Sequence, residues 1–279
     1  MEWWQAILLG IVQGLTEFLP VSSSGHLMIF KELFGVDGDG FLDFTVTVHS
    51  ATVLSTIVVF RKPIWKLLKG FFQFKINEET DYILKIIVSM IPVALVGLFF
   101  RESVESLFKD NLSTVAVFLI VTAVLLFVSD NFSYIGKFLK LGILEKEVEC
   151  RNGISYLQAL IVGLGQALAV APGLSRSGTT IAAGIISGVK REVIAQFSFL
   201  MVLAPIIGEQ FLGLVSALSG DVSSSAAGLG ALPLLLGFAA AFLSGLFACK
   251  VMIAIVKKAK LTWFALYCVL VSVLIFLLT

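Results

Sequence analysis

Glu17, His26 and Arg176 are the residues whose types and settings point to chemistry, because each is ionisable and stands in an apolar stretch interrupted by proline, serine and glycine. In residues 10–26, GIVQGLTEFLPVSSSGH, Gln13 and Glu17 are four apart, so a helix puts both on one face. Such a pair can hold a divalent cation or orient a histidine, and it can equally be a plain buried hydrogen bond. Ser22, Ser23 and Ser24 follow Pro20, and His26 stands three residues after Ser23. A hydroxyl nucleophile needs a base within hydrogen-bond reach, which this spacing allows on a helix. The histidine is a second candidate nucleophile in its own right. The serines also suit capping of a helix that starts after the break.

A second stretch, residues 163–180, reads GLGQALAVAPGLSRSGTT. Its glycines permit close backbone approach. Successive N–H groups and hydroxyls can cradle phosphate oxygens, and arginine adds a two-pronged donor suited to phosphate. We therefore read Ser175, Arg176, Ser177, Gly178 and Thr180 as an anion site. The competing reading is a turn whose arginine reaches toward lipid headgroups. Arg176 lies more than ten residues from the polar loop on either side, which argues against it. Elsewhere, His49 is assigned a packing or hydrogen-bonding role, Glu209 is left open, Lys250 is read as reaching toward the surface, and Asp130 and Asp221 as ordinary loop residues. Cys150, Cys249 and Cys268 are far apart in sequence and read as small buried apolar groups, with neither a disulfide nor a zinc site.

The elements that must position these residues are membrane helices. The 279-residue chain has a mean hydropathy of +1.01 and only 14% charged residues, against about 25% for soluble domains. Long apolar runs recur throughout, so the expected class is an all-α polytopic membrane protein forming one domain over 1–279. Nothing resembles a basic nucleic-acid surface, and the N-terminus reads as structure rather than a removed signal. Six full spans are expected at 43–60, 82–100, 112–129, 193–215, 229–256 and 261–279, with 61–81 lying at the interface. Residues 3–34 and 154–188 are each two short apolar pieces around a proline break, and they read as re-entrant hairpins. Offset by 153 residues the two hairpins align, with Gln5, Ala6, Gly10, Gln13, Leu15, Ser22, Ser24 and Gly25 matching Gln158, Ala159, Gly163, Gln166, Leu168, Ser175, Ser177 and Gly178. The repeat halves are then about 1–130 and 154–279. Alternate loops hold 14 against 3 lysines and arginines, which places the rich loops in the cytoplasm and both chain ends outside. The hairpins enter from opposite sides and meet near the midplane, as in an inverted repeat.

Carboxylate, histidine, serine and arginine at such a meeting point suit phosphoryl transfer from a lipid phosphate to water, chemistry that needs positioning and charge neutralisation. The rival reading is a transporter or flippase for an anionic lipid, since broken helices in inverted repeats also build transporters. A purely structural scaffold leaves the three ionisable residues without a purpose.

Over essentially its full length the chain resembles the undecaprenyl-diphosphatases of the UppP/BacA type. The resemblance rests on Gln13-x-x-x-Glu17, on Pro20-Val-Ser-Ser-Ser-Gly-His26, and on the PGxSRSxxT pattern at 172–180. It implies removal of the terminal phosphate of undecaprenyl diphosphate, with calcium or magnesium as the divalent cation, at the outer side of the bacterial cytoplasmic membrane. It also implies a link to cell-wall synthesis and bacitracin tolerance. The family's catalytic positions fall on Glu17, Ser23, His26 and Arg176, its phosphate-binding positions on Ser175, Arg176, Ser177, Gly178 and Thr180, and its metal on Glu17 and Gln13. Some members have glutamate where this chain has Gln13. Either Ser23 or His26 is the attacking group. The partners implied are undecaprenyl diphosphate and membrane lipid, with no nucleic acid, and a homodimer is one assembly open to such a chain.

Overall fold

A computed structural model describes residues 1–36, 40–75, 77–100, 112–138, 151–218 and 230–278, with the side chains of 133–138, 151, 209–218 and 278 left aside. Among the described residues there are eleven α-helices: α1 Trp3–Thr16, α2 Ser23–Leu33, α3 Gly40–Val59, α4 Arg61–Phe71, α5 Glu78–Phe99, α6 Leu112–Phe138, α7 Tyr156–Leu168, α8 Arg176–Ile186, α9 Arg191–Leu218, α10 Ala231–Lys258 and α11 Thr262–Leu278. Five of them, α3, α5, α6, α9 and α10, are long and apolar enough to cross a membrane. The sixth expected span is helical and apolar, but α11 has 17 residues, which is ~25 Å at ~1.5 Å per residue. Leu84, Ile87, Ile91, Leu95 and Leu98 are exposed along α5, as are Leu266, Leu270, Leu274 and Leu277 along α11. Such rows suit a lipid-facing wall and not a water-facing one.

The helices are tied together by small residues and buried polar bonds. α1 packs along α10, where a Cβ on Gly10 would collide with the Gly237 carbonyl and one on Gly14 with Ser244 and the Ala241 carbonyl. α7 packs along α5, where a Cβ on Gly163 would collide with the Ser89 carbonyl. Close backbone approach of this kind suits packing in a solvent that gives apolar side chains no drive to associate. α6 packs along α11, and α3 along α10. The largest buried cluster includes Phe18, Phe60, Phe197, Phe199, Met201 and Met252 and brings α9 and α10 against the segments that follow α1 and α3.

At the 153-residue offset the two short helix pairs share several bonds. Glu2 and Gln5 form a capping box on α1, as Ser155 and Gln158 do on α7. Gln5 Nε2 donates to the Phe34 carbonyl at 3.2 Å and Gln158 Nε2 to the Ser187 carbonyl at 2.9 Å, so each glutamine ties the start of its pair to the end. α2 and α8 each have 11 residues and each is followed by a glycine of positive φ, Gly35 at 57° and Gly188 at 88°, a conformation that favours glycine at a helix end. The glycine match lies beyond Gly25 and Gly178, the last of the matches that suggested the repeat.

Several boundaries differ from expectation. α1 ends at Thr16 and α7 at Leu168, each about one turn before its proline, because a proline disfavours helical backbone just before it and lacks an N–H to join a helix. α6 runs on to Phe138, so Asp130 is not a loop residue. Its Oδ1 pairs with Arg191 Nη2 at 2.5 Å, and its Oδ2 accepts from the Thr262 N–H and hydroxyl at 2.7 and 2.8 Å. Arg191 also donates to the Ala259 carbonyl at 3.0 Å, so one buried carboxylate joins α6, α9 and the α10–α11 turn. Cys249 and Cys268 are buried free thiols, whereas Cys150 and Asp221 lie outside the described residues, as does the side chain of Glu209.

Candidate active site

The site is built where the two breaks meet. At the end of α1 the Glu17 N–H bonds the Gln13 carbonyl at 2.9 Å, which leaves the carboxylate at the helix terminus, facing into the break. Its Oε2 accepts from Ser23 Oγ at 2.6 Å and from Gln13 Nε2 at 3.0 Å, and it faces His49 Nε2 at 3.8 Å. His49 is held by its other nitrogen, which donates to the Thr45 carbonyl one turn back on α3 at 2.8 Å. Across from Glu17 stands Arg176, the first residue of α8, close enough for its charge to act on the carboxylate.

These groups share a cavity of about 50 Å³ lined by Glu17, Ser22, Ser23, Ser24, His49 and the run Ser175–Ser177, among others. Both α2 and α8 begin at its wall. Each is capped in the same manner, Ser22 Oγ accepting from the Gly25 N–H at 3.2 Å and Ser175 Oγ from the Gly178 N–H at 3.1 Å. The first two amides of each helix, on Ser23, Ser24, Arg176 and Ser177, have no acceptor within the helix. Two positive helix ends and a guanidinium therefore surround one carboxylate and a cluster of hydroxyls, a setting for an anion. A second cavity of about 30 Å³ shares Glu17, Arg176 and Ser177 and is otherwise walled mainly by apolar side chains such as Phe18, Val53, Phe199, Val202 and Leu203.

Of the residues read from the sequence, Glu17, Ser23, Ser175, Arg176 and Ser177 come together here, and Gln13 joins them through Glu17. Three others do not line the cavity. His26 is buried with its Nδ1 on the Ser22 carbonyl at 2.7 Å and its Nε2 on Tyr267 Oη at 2.7 Å, so both ring nitrogens are engaged away from Ser23. Gly178 spends its N–H on Ser175, and a Cβ there would meet Pro20 at 3.3 Å, so its part is to let the two hairpins touch. Thr180 donates to the Arg176 carbonyl at 2.8 Å and lies 2.6 Å from Ser198 Oγ, which ties α8 to α9. Ser177 is shared, since its hydroxyl also donates to the Leu19 carbonyl at 3.1 Å and bridges the hairpins.

His49 is the site residue that the sequence reading missed. Its partner lies on another helix, so no local spacing announces it. The one available signal was an imidazole inside an apolar span, the same argument that singled out Glu17 and Arg176.

Around Glu17 stand hydroxyls, the Gln13 amide, the His49 imidazole and Arg176, with a single carboxylate, and among the described residues no group of three or more His, Cys, Asp and Glu side chains comes together. Gln13 Oε1 is buried without a hydrogen-bond partner. One carboxylate and a spare amide oxygen fit a hard divalent cation that takes the rest of its shell from water and phosphate.

Residues 6–274 match the family described as bacitracin resistance protein BacA. The chain is 48% identical over 273 residues to an undecaprenyl-diphosphatase of Bacteroides fragilis, covering 98% of this chain and 97% of that one. It is 49% identical over 268 residues to the undecaprenyl-diphosphatase of Parabacteroides distasonis, covering 96% and 95%. It is 38% identical over 278 residues to that of Halothermothrix orenii, covering 100% and 98%. Similarity on this scale, running through both helix pairs and the spans between them, means that the chain belongs to the BacA family of bacitracin resistance proteins.

Proposed function

We propose that this protein hydrolyses undecaprenyl diphosphate to undecaprenyl phosphate and inorganic phosphate, in a multi-pass fold of the bacterial cytoplasmic membrane. The observation that carries the reading is the Ser23–Glu17 hydrogen bond of 2.6 Å, made opposite Arg176 where two helix N-termini open into one cavity. Ser23 Oγ attacks the terminal phosphorus as its proton passes to Glu17. The bond from that phosphorus to the bridging oxygen breaks, and undecaprenyl phosphate leaves. Water then cleaves the phosphoserine. Arg176 and the free amides of α2 and α8 neutralise the phosphate oxygens throughout. His49 faces Glu17 from α3, its Nε2 3.8 Å from the carboxylate. Glu17 and Gln13 are the residues that would hold a calcium or magnesium ion, which supplies charge neutralisation to the diphosphate when bound.

The finer architecture follows the same reading. The two helix pairs are re-entrant hairpins of an inverted repeat, six helices span, α4 lies at the cytoplasmic interface, and the cavity opens to the outer side, where both chain ends lie. Exchange of partners supports this: α1 on α10 mirrors α7 on α5, and α6 on α11 maps onto itself. The distribution of lysine and arginine sets the direction.

The test is phosphate release by the purified protein from a prenyl diphosphate in detergent micelles, followed by trapping of the phosphoenzyme. Release that stops with chelator, returns with calcium or magnesium, and passes through an acid-stable phosphate on Ser23 is the expected result. An acid-labile phosphate on His26 would sink the serine assignment, and no release from folded, calcium-loaded protein would sink the activity.

A further inference from the structure

We propose that Tyr267 is a positioning residue for Ser23, acting through His26 and the backbone of Ser22; the proposal rests on Ser23 as the attacking group. The contacts run unbroken from α11 to the cavity. Tyr267 Oη is 2.7 Å from His26 Nε2, and the two rings stack with centroids 5.7 Å apart and planes inclined by 6°. His26 Nδ1 lies 2.7 Å from the Ser22 carbonyl, which also accepts the His26 N–H at 3.2 Å. A carbonyl only accepts, so Nδ1 carries the ring proton and Nε2 of the neutral imidazole accepts from the tyrosine hydroxyl.

What this brace holds is a strained residue. Ser22 has φ 68° and ψ 97°, a left-handed φ that a serine adopts only where its surroundings enforce it. The next residue is Ser23, held at 2.6 Å from Glu17. The second hairpin supplies an internal control. At the 153-residue offset, Ser175 has φ −72° and ψ 116°, an unstrained cap. The place of His26 is taken there by Thr179, whose hydroxyl donates to the Ser175 carbonyl at 2.7 Å. That bond is local and needs no further helix. The same carbonyl is therefore gripped in both hairpins, but the grip is extended to a distant helix only where the cap is strained and the following serine faces the carboxylate. Neither His26 nor Tyr267 lines either cavity beside Glu17, so their influence on the reaction passes through Ser22 and Ser23.

Tyr267→Phe removes one hydroxyl and keeps the ring stack. The expected result is a fall in kcat for phosphate release of about tenfold, as for a reacting group left slightly misplaced. KM stays within about twofold, because the phosphate grip of Arg176 is untouched. The thermal midpoint in detergent does not move. In a His26→Ala background the same substitution costs nothing more, since the link is already cut. A wild-type kcat, a loss carried by KM, a loss that adds in full to that of His26→Ala, or a thermal midpoint that falls in step with kcat would each overturn the proposal. Ser23→Ala separates it from the reading beneath it. If that variant is active, both fall; if it is inactive while Tyr267→Phe has wild-type kcat, only the brace falls.

Discussion

At the scale of single residues, the site is a matter of which partner each polar group has already taken. Arg176 makes no competing claim on Ser175 or Ser177, whose hydroxyls bond the backbone around the break, so its guanidinium remains the charge opposite Glu17. Replacing it with alanine removes a donor aimed at developing charge and is expected to lower kcat/KM about a hundredfold or more, with lysine restoring charge but not the two-pronged geometry. His49→Ala is expected to cost about tenfold in the same assay, because the ring that walls the cavity beside Glu17 is then gone and the carboxylate is less firmly placed. Near-normal turnover of either alanine variant in prenyl diphosphate micelles would remove that residue from the site. Glu17, Ser23 and Arg176 were legible in the sequence because each sits at a break that an apolar run has no structural need for. The surroundings of His26 and His49 were hidden for a physical reason. Neighbours along a chain are visible in sequence, whereas the tyrosine that takes up His26 and the carboxylate beside His49 come from other helices.

At the scale of elements, the two short helix pairs were legible and their tethers were not. The offset of 153 residues and the proline breaks show two related pairs, but nothing in the spacing announces that Gln5 and Gln158 bond the far ends of their pairs. Helix ends were placed up to a turn too late, since the apolar run continues through Phe18–Leu19 and Val170–Ala171 after the last helical hydrogen bonds, made by Glu17 and Ala169. Glycine packing gives a direct test. Gly10→Ala and Gly163→Ala each put a methyl against a facing backbone carbonyl, which cannot move aside as a side chain would, and each is expected to destabilise by about 1–3 kcal/mol. Gly97 on α5 has nothing within 4 Å of the same position, so Gly97→Ala is expected to be neutral or to stabilise by up to about 1 kcal/mol through helix propensity. Thermal unfolding in detergent distinguishes the two groups, and equal effects at all three positions would contradict this account of the α1–α10 and α7–α5 contacts.

At the scale of the whole molecule, composition settled the class, and the apolar outer faces of α5 and α11 agree with it. The order in which helices pack was hidden, because chain order and spatial order differ. α1 lies on α10 from the other end of the chain, and α7 on α5, so each short pair is held by a long helix of the opposite half. That cross-packing bears on assembly of the protein from two pieces. Fragments ending at Phe138 and beginning at Arg151, expressed in the same cell, are expected to co-purify and to recover phosphate release, whereas each alone is expected to be degraded because its hairpin lacks the helix that shelters it. A fragment that accumulated alone in folded form would show that the two halves are neighbours rather than mutual scaffolds.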